Sequence, residues 1–428
     1  MIKDDEYKKI WDYIKKKSTA DDFTFGIDTT DKLYIRFAQN AITQNITGKN
    51  ILLTLRVAFD NKTGESYINQ TDENALNYLI STAEETARLN KPDPEFVPSE
   101  SYHELPPAKK PATATLRLTE KQIIDEIEKS VRNAEKKKAK VFGLSNKVYA
   151  QRYLFTKNGF EGSDEQAYFS HSMTMRKDEI ETKVSKSIKD FSRFSMENLI
   201  SELNNQFDSL KDPQPMEKGR IPVILRPAAV LEWLLYIVWT FDLRNADEGI
   251  TPYTNQVGKK FFGEKFSLMS DSDDPQLTAE RFDDMGVPNY TTNWITHGTI
   301  ENMQTSRWYA KKKGIEPKNI FNIKVAGENL SESELMNMVK RGVIVNRFWY
   351  IRPVDMKTGE WTGLTRDGVL YFEDGKVLHP VRNFRWNEIF HDASRRVLAL
   401  GKSVQQEHYA RIPSMLINDF NFVDVTTF

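Results

Sequence analysis

Six histidines hold most of the acid–base and metal-binding capacity of this chain: His103, His171, His297, His379, His391 and His408. The two nearest, His379 and His391, stand 12 positions apart. No pair has HxH, HExxH or HExxxH spacing, so no short segment can present a zinc site. Cysteine is absent. That removes disulfides, thiolate nucleophiles and every Cys-containing metal centre. A zinc site would have to be gathered from distant ligands. The remaining candidates are carboxylates and single residues. Asp283 and Asp284 are adjacent. DSDDP at 271–275 lacks calcium-loop spacing and reads as a turn with capping carboxylates. GKKFFGEK lacks the order of a phosphate loop, and no GxSxG elbow is present. Ser170 beside His171 reads as a strand pair. His297 lies in WITHGT, just after Trp294 and Ile295. A histidine at a strand end can face a cleft, but a turn role is the weightier reading. Trp349 and Tyr350 read as core or groove aromatics.

These residues need elements to hold them. AAVLEWLLYIVWTF, residues 228–241, contains one charge, Glu232. It is shorter than the roughly 20 apolar residues of a membrane span. It has no polar face, so it is expected to be a helix buried nearly all round, with Glu232 paired or at the surface. Before it, residues 4–17 show helical spacing of Tyr7, Ile10, Trp11 and Ile14. FTFGI, KLYIRFA and NILLTLRVAF read as strands with turns at Asp28–Asp31 and at Thr47-Gly48. NKTGES reads as a further turn, ESYINQ as a strand, and Thr71-Asp72 as the cap of a helix. Thr119 caps a second helix that carries Ile123, Ile124, Ile127 and Val131 on one side. KVFGLSNKVYAQRYLFT and AYFSHSMTMRK follow as strands around Asn158-Gly159. Both halves of 1–210 thus run helix, strands, helix, which predicts a duplication of shape. NKPDPEFVPSESYHELPPAKKPA, between the halves, is an extended connection that needs a surface to lie on.

The proline-containing stretch 212–220 marks a boundary, giving 1–211 as an N-terminal α+β domain and 212–428 as a β-rich C-terminal domain. Within the latter, Ser331 and Glu334 form a capping box. The expected fold class is α+β. The N-terminal region is mixed α/β with helix-strand-helix repeats; the C-terminal region is a large, mostly antiparallel or barrel-like sheet around the central helix 228–241. The chain has 428 residues, 60 Lys plus Arg and 61 Asp plus Glu, a net charge of -1. This balance gives no electrostatic reason to expect nucleic acid or an acidic membrane. The basic runs 136–138 and 311–313 sit near helix ends, where cations suit the dipole. The charged start lacks an apolar signal core, so a cytoplasmic location is expected.

Several passages together resemble the TldD/PmbA family, also called modulators of DNA gyrase or Tld peptidases. They are KLYIRFAQNAITQNITGKNILLTLRVAFDNKTGES, NALNYLISTAEETARL, IPVILRPAAVLEWLL, RFDDMGVPNYTTNWITHGTIE, VAGENLSESELMNMVKRGVIV and DMKTGEWTG followed by GVLYFEDGKVLHPV. The resemblance implies a metallopeptidase fold. In the TldD branch the central helix carries HExxxH and a later cysteine completes a zinc site. Here that signature falls near Leu235, Tyr236 and Thr240, and none of its ligands is present. The chain therefore resembles the PmbA/TldE branch. The resemblance implies no zinc of its own and a non-catalytic or substrate-holding role in proteolysis. It also implies a homodimer, or a heterodimer with a zinc-bearing TldD-like subunit. An extended peptide would be gripped between the 284–300 and 345–365 regions. Two alternatives stand beside this. One is a standalone peptidase with a non-standard site around His297, Glu232, Asp283 or Asp284. The other is a homodimeric peptide-binding or scaffold protein without turnover.

Overall fold

The structure, a computed structural model, describes residues 4–426. The N-terminal half contains α1 (Asp4–Lys17), β1 (Asp22–Ala38), β2 (Ala41–Phe59), β3 (Lys62–Ile68), α2 (Glu73–Leu89), the short α3 (Thr113–Leu116), α4 (Glu120–Lys136), β4 (Lys140–Thr156), β5 (Glu161–Lys177), β6 (Ile180–Ile188) and α5 (Met196–Ser209). Its six strands form one antiparallel sheet in the order β3-β2-β1-β4-β5-β6. That order is a palindrome. The unit helix, three strands, helix occurs twice, and the two copies meet where β1 pairs with β4. The expected duplication of shape is present.

Alternation along the strands explains which face the helices take. Phe23, Phe25 and Ile27 of β1 join Leu53, Leu55 and Val57 of β2 under Trp11 and Ile14 of α1 and Leu79 and Ala83 of α2. Farther along the same strand, Ile35 and Phe37 join Met173 and Met175 under Ile127 of α4 and Leu203 of α5. Thr119 caps α4 in a reciprocal box with Gln122. The turns expected at Asp28–Asp31 and Thr47-Gly48 do not occur. β1 runs unbroken through the first, and Gly48 pairs with Lys32 in mid-strand. The run Asp28–Lys32 is polar throughout and its side chains alternate between the two faces of the sheet, so Thr29 is buried while Asp28 meets Arg152 of β4. The chain instead turns at Gln39-Asn40 and Asp60-Asn61, all four with positive φ, so NKTGES is mostly strand.

The C-terminal half contains β7 (Gly219–Leu225), α6 (Pro227–Thr240), α7 (Leu243–Asp247), β8 (Leu268–Ser270), β9 (Thr292–Thr296), β10 (Thr299–Ile300), α8 (Arg307–Lys313), β11 (Ile323–Val325), α9 (Glu332–Met336), β12 (Arg341–Asp355), β13 (Glu360–Glu373), β14 (Lys376–Val381), β15 (Phe384–Ile389), α10 (Phe390–Arg395), β16 (Val397–Leu400), β17 (Val404–Glu407), β18 (Ala410–Ile412) and β19 (Met415–Val425). The larger sheet runs β12-β7-β19-β15-β13-β14 and is mostly antiparallel; β7 and β12 pair in parallel. It is not a closed barrel. β13 divides along one edge, giving residues 360–364 to β15 and 369–373 to β14, while β12 follows its other edge with three register shifts. A smaller sheet runs β10-β9-β8-β11-β18-β17. Helix α6 lies between the two sheets. Trp233, at its centre, is fully buried against Phe348, Trp386, Phe390 and Phe420, with ring centroids 4.8–6.3 Å away.

Residues 91–112 form the expected extended connection, and its surface is the seam between the halves. Ser99 donates its N–H and Oγ–H to Asp22, and Thr156 donates to the Glu100 carbonyl. From the other side, Arg244 pairs with Glu95, Arg307 pairs with Glu100, and Arg281 donates to the Pro106 carbonyl.

Candidate functional site

Helix α6 starts cleanly because Pro227 fixes the backbone at its first turn. It stops where the Thr240 hydroxyl turns back to the carbonyls of Tyr236 and Ile237, and Asp242 caps α7. The expectation of burial all round fails on one stripe. Glu232, Leu235, Tyr236 and Trp239 follow one another at 3, 1 and 3 positions, so they share a face. Trp239 is 65% exposed and Leu235 39%. The stripe was invisible as a polar face because its outer residues are themselves apolar.

Glu232 is held at the top of this stripe. Its Oε1 accepts from Arg347 at 2.9 Å and its Oε2 accepts the Phe348 N–H at 2.6 Å. Arg347 also donates to Asp367. Burial pushes the Glu232 carboxyl up to about 7, against the pull of Arg347. The arrangement ties α6 to β12 and satisfies a backbone N–H beside an irregular stretch. Immediately beyond, the β12 register shifts between Trp349 and Arg352, and Tyr350 takes a positive φ of 54°. For a bulky side chain that conformation is strained. Its effect is to turn both Trp349 and Tyr350 to the surface, with Arg366 over the first ring and Arg352 over the second. Tyr236 packs at 5.1 Å on buried Trp361. The candidate site is thus the exposed aromatic stripe of α6, with Trp349 and Tyr350 of β12 as a second exposed aromatic pair. Replacing Arg347 with Met would leave Asp367, almost fully buried, and Glu232, about a third exposed, without their shared cation. The expected cost is about 2–4 kcal/mol, low in the range for broken buried pairs because Glu232 keeps some water. Urea midpoints at pH 7.5 would measure it.

The other sequence candidates lie elsewhere. His297 and Gly298 are the two tip residues of the β9–β10 hairpin, with φ of 46° and 82°. This is the left-handed pair that a tight hairpin requires. His297 is exposed and its N–H donates to Ser267. Asp283 organises its own loop by accepting from the N–H groups of Met285 and Val287 and from Asn319; burial raises its pKa. Asp284 pairs with Arg56 of β2 across the seam. Among the described residues no hydrogen bond or ion pair joins His297, Glu232 and Asp283/Asp284 into one set. Ser170 and His171 are adjacent strand residues, and His171 bonds Ser145 in the core. Thr240 is buried.

The zinc of the resembled branch can be tested on these side chains. Leu235 offers no donor atom, Tyr236 is packed on Trp361, and the Thr240 hydroxyl is spent on the helix backbone. No group of three or more His, Cys, Asp or Glu among the described residues is placed to hold a metal. These residues do not fit the group, and no chemistry is routed through it. No helix among the described residues is long and apolar enough to cross a membrane.

Sequence reasoning missed a cavity of about 800 Å³ at the seam. It lies between β1–β3, the connection 91–112, the Asp283 loop and the start of α8. Its lining residues are spread between positions 22 and 319, so only the fold brings them together.

No curated protein matches the sequence. Residues 218–424 match the PmbA/TldA metallopeptidase C-terminal domain. Three solved structures share the fold over nearly the whole chain. TldE from Thermococcus kodakarensis superposes with a TM-score of 0.88 at 17% identity, covering 97% of this chain and 99% of that one. A protein from Bacteroides thetaiotaomicron described as a candidate modulator of DNA gyrase gives 0.87 at 16%, covering 99% and 100%. A similarly described protein from Thermotoga maritima gives 0.85 at 16%, covering 97% and 99%. Residues 218–424 thus carry the PmbA/TldA metallopeptidase C-terminal domain, and over nearly its whole length the chain has the fold of these three structures.

Proposed function

We propose that this chain is a metal-free subunit of a TldD/PmbA-type peptidase, one that holds substrate or completes the chamber for a zinc-bearing TldD-like partner. The observation that carries the proposal is the composition of the outer stripe of α6. Near Leu235, Tyr236 and Thr240, where the resembled branch places metal ligands, this helix has no donor set, and the stripe that includes Leu235 and Tyr236 ends in the exposed Trp239. Exposed aromatic surface of this kind is typical of interaction sites, where Trp and Tyr supply contact area at low entropic cost. Trp349 and Tyr350, turned outward by the irregularity in β12, extend the same chemistry. The fold shared with a protein named TldE agrees with this assignment.

The test is metal analysis and peptidase assay of the pure chain, then of the chain mixed with a TldD-like protein from the same genome. The expected results are less than about a tenth of a zinc per chain, no hydrolysis alone, and co-sedimentation with enhanced hydrolysis in the mixture. Trp239→Asp should weaken co-sedimentation at least about tenfold, as loss of an aromatic anchor does. One firmly held zinc per isolated chain, with chelator-sensitive peptide cleavage, would overturn the proposal. Self-association without a partner and without turnover would favour the scaffold reading.

A further inference from the structure

We infer that the seam cavity is a second binding site, separate from the α6 surface, for an extended peptide that carries apolar side chains and a lysine or arginine. Three features of the cavity agree on that ligand.

The first is an open strand edge. β3 is the outermost strand of its sheet and pairs with β2 alone. The connection 91–112 uses only the beginning of that edge: the Asp93 N–H donates to the Asn61 carbonyl, and Asn90 donates to the Thr63 carbonyl. From Gly64 to Tyr67 no further backbone partner is present on the outer side among the described residues. Gly64 packs so tightly on α2 that a Cβ would lie 2.3 Å from the Ala83 carbonyl oxygen, so the strand is fixed in place. A fixed strand with free backbone groups binds another extended chain.

The second is an apolar part of the lining. Phe96 and Val97 of the connection, Met285 and Val287 of the Asp283 loop, and Trp308 of α8 line the same cavity as Thr63, Gly64 and Glu65 of β3. Its volume of about 800 Å³ admits several side chains.

The third is charge. Six carboxylates line the cavity against two guanidiniums, Arg56 and Arg307. Both guanidiniums are engaged by carboxylates. Among the described residues Asp22 and Asp93 form no ion pair; Asp22 accepts from Ser99 and Asn158, and Asp93 from the Glu95 N–H. The surplus favours a cationic side chain over an anionic one.

The test uses the full chain alone, so it does not depend on the subunit reading. Calorimetric titration with a ten-residue peptide of alternating valine and threonine bearing one central lysine should show saturable binding. Exchange of the lysine for glutamate, or N-methylation of alternate backbone amides, should each weaken it at least about tenfold. Val97→Glu and Trp308→Ala, both at partly exposed positions, should do the same, with the fold checked by circular dichroism. Leu378→Ala, at an exposed position on β14 outside the cavity, should leave it unchanged. Absence of binding, indifference to N-methylation, or indifference to both cavity variants would overturn the inference. So would full competition by free spermidine, which would make the ligand a small cation instead of a peptide. If Trp239→Ala abolished binding while the cavity variants did not, the peptide site would be the α6 surface and this inference would fall.

Discussion

Trp233→Ala is expected to cost about 3–5 kcal/mol. The indole is fully buried and meets four aromatic rings from three separate strands and α10. Trp386 and Phe348 also pack on each other at 4.6 Å, so the indole sits in an aromatic cluster. The Trp233 Nε1 has no hydrogen-bond partner, so its contribution is packing alone. Trp233→Phe should therefore lose much less, about 1–2 kcal/mol, since it keeps a ring and removes an unsatisfied N–H. A typical protein has a margin of about 5–15 kcal/mol, so the alanine variant should show a thermal midpoint many degrees lower. Guanidinium titration followed by far-UV circular dichroism measures both. Equal losses for alanine and phenylalanine would mean that the core relaxes around the gap.

Acid is expected to destabilise the protein through its buried histidines. His171 is fully enclosed between Phe37 and Phe194, and burial lowers its pKa to about 3. His408, stacked on Tyr168, and His391, packed against Phe261, are lowered to about 4. Each is neutral when folded and takes up a proton in the unfolded chain below its ordinary value of about 6.5. Their contribution is complete above that pH and is lost as pH falls toward 3–4. For His171 the loss between pH 7 and 4.5 is about 3 kcal/mol. Glu232 works in the opposite sense. Its raised carboxyl binds a proton more readily when folded, so its share of stability declines as pH rises from about 4.5 through 7. The clean measurement is a comparison. His171→Phe with Ser145→Ala removes both hydrogen-bonding partners together. Its stability difference between pH 7 and 4.5 should be smaller than the parent's by about 3 kcal/mol. An identical acid limb in parent and variant would show that His171 titrates normally.

Local chemistry carried the fold a long way. Thr119 with Gln122 and Ser331 with Glu334 close reciprocal caps, as their spacing announces. Pro227 opens α6, and the periodicity of Ile10, Trp11 and Ile14 marks the buried side of α1. The errors have one cause. Asp28, Thr29 and Asp31 look like a turn in isolation, yet they belong to a strand whose polar side meets Arg152 on β4. Trp239 looks like core, yet it is surface. In both cases the partner that decides the matter lies on another element. The absence of zinc ligands could be read directly, because missing residue types need no geometry. The seam cavity could not, since it depends on β3, the connection and α8 meeting from positions far apart in the chain.

The palindromic sheet also sets the order in which the protein can mature. Thr24 and Thr156 are register partners, so β1 stays unpaired on its inner side until the ribosome has delivered β4. At about 5–20 residues per second, that leaves a long open edge for several seconds or more during synthesis. Long-range pairing of this kind is slow in any case. Refolding from denaturant should accordingly be fastest for helix content and slowest for the joining of the two repeats. During that interval an intermolecular exchange of β4 between nascent chains would compete with the native pairing.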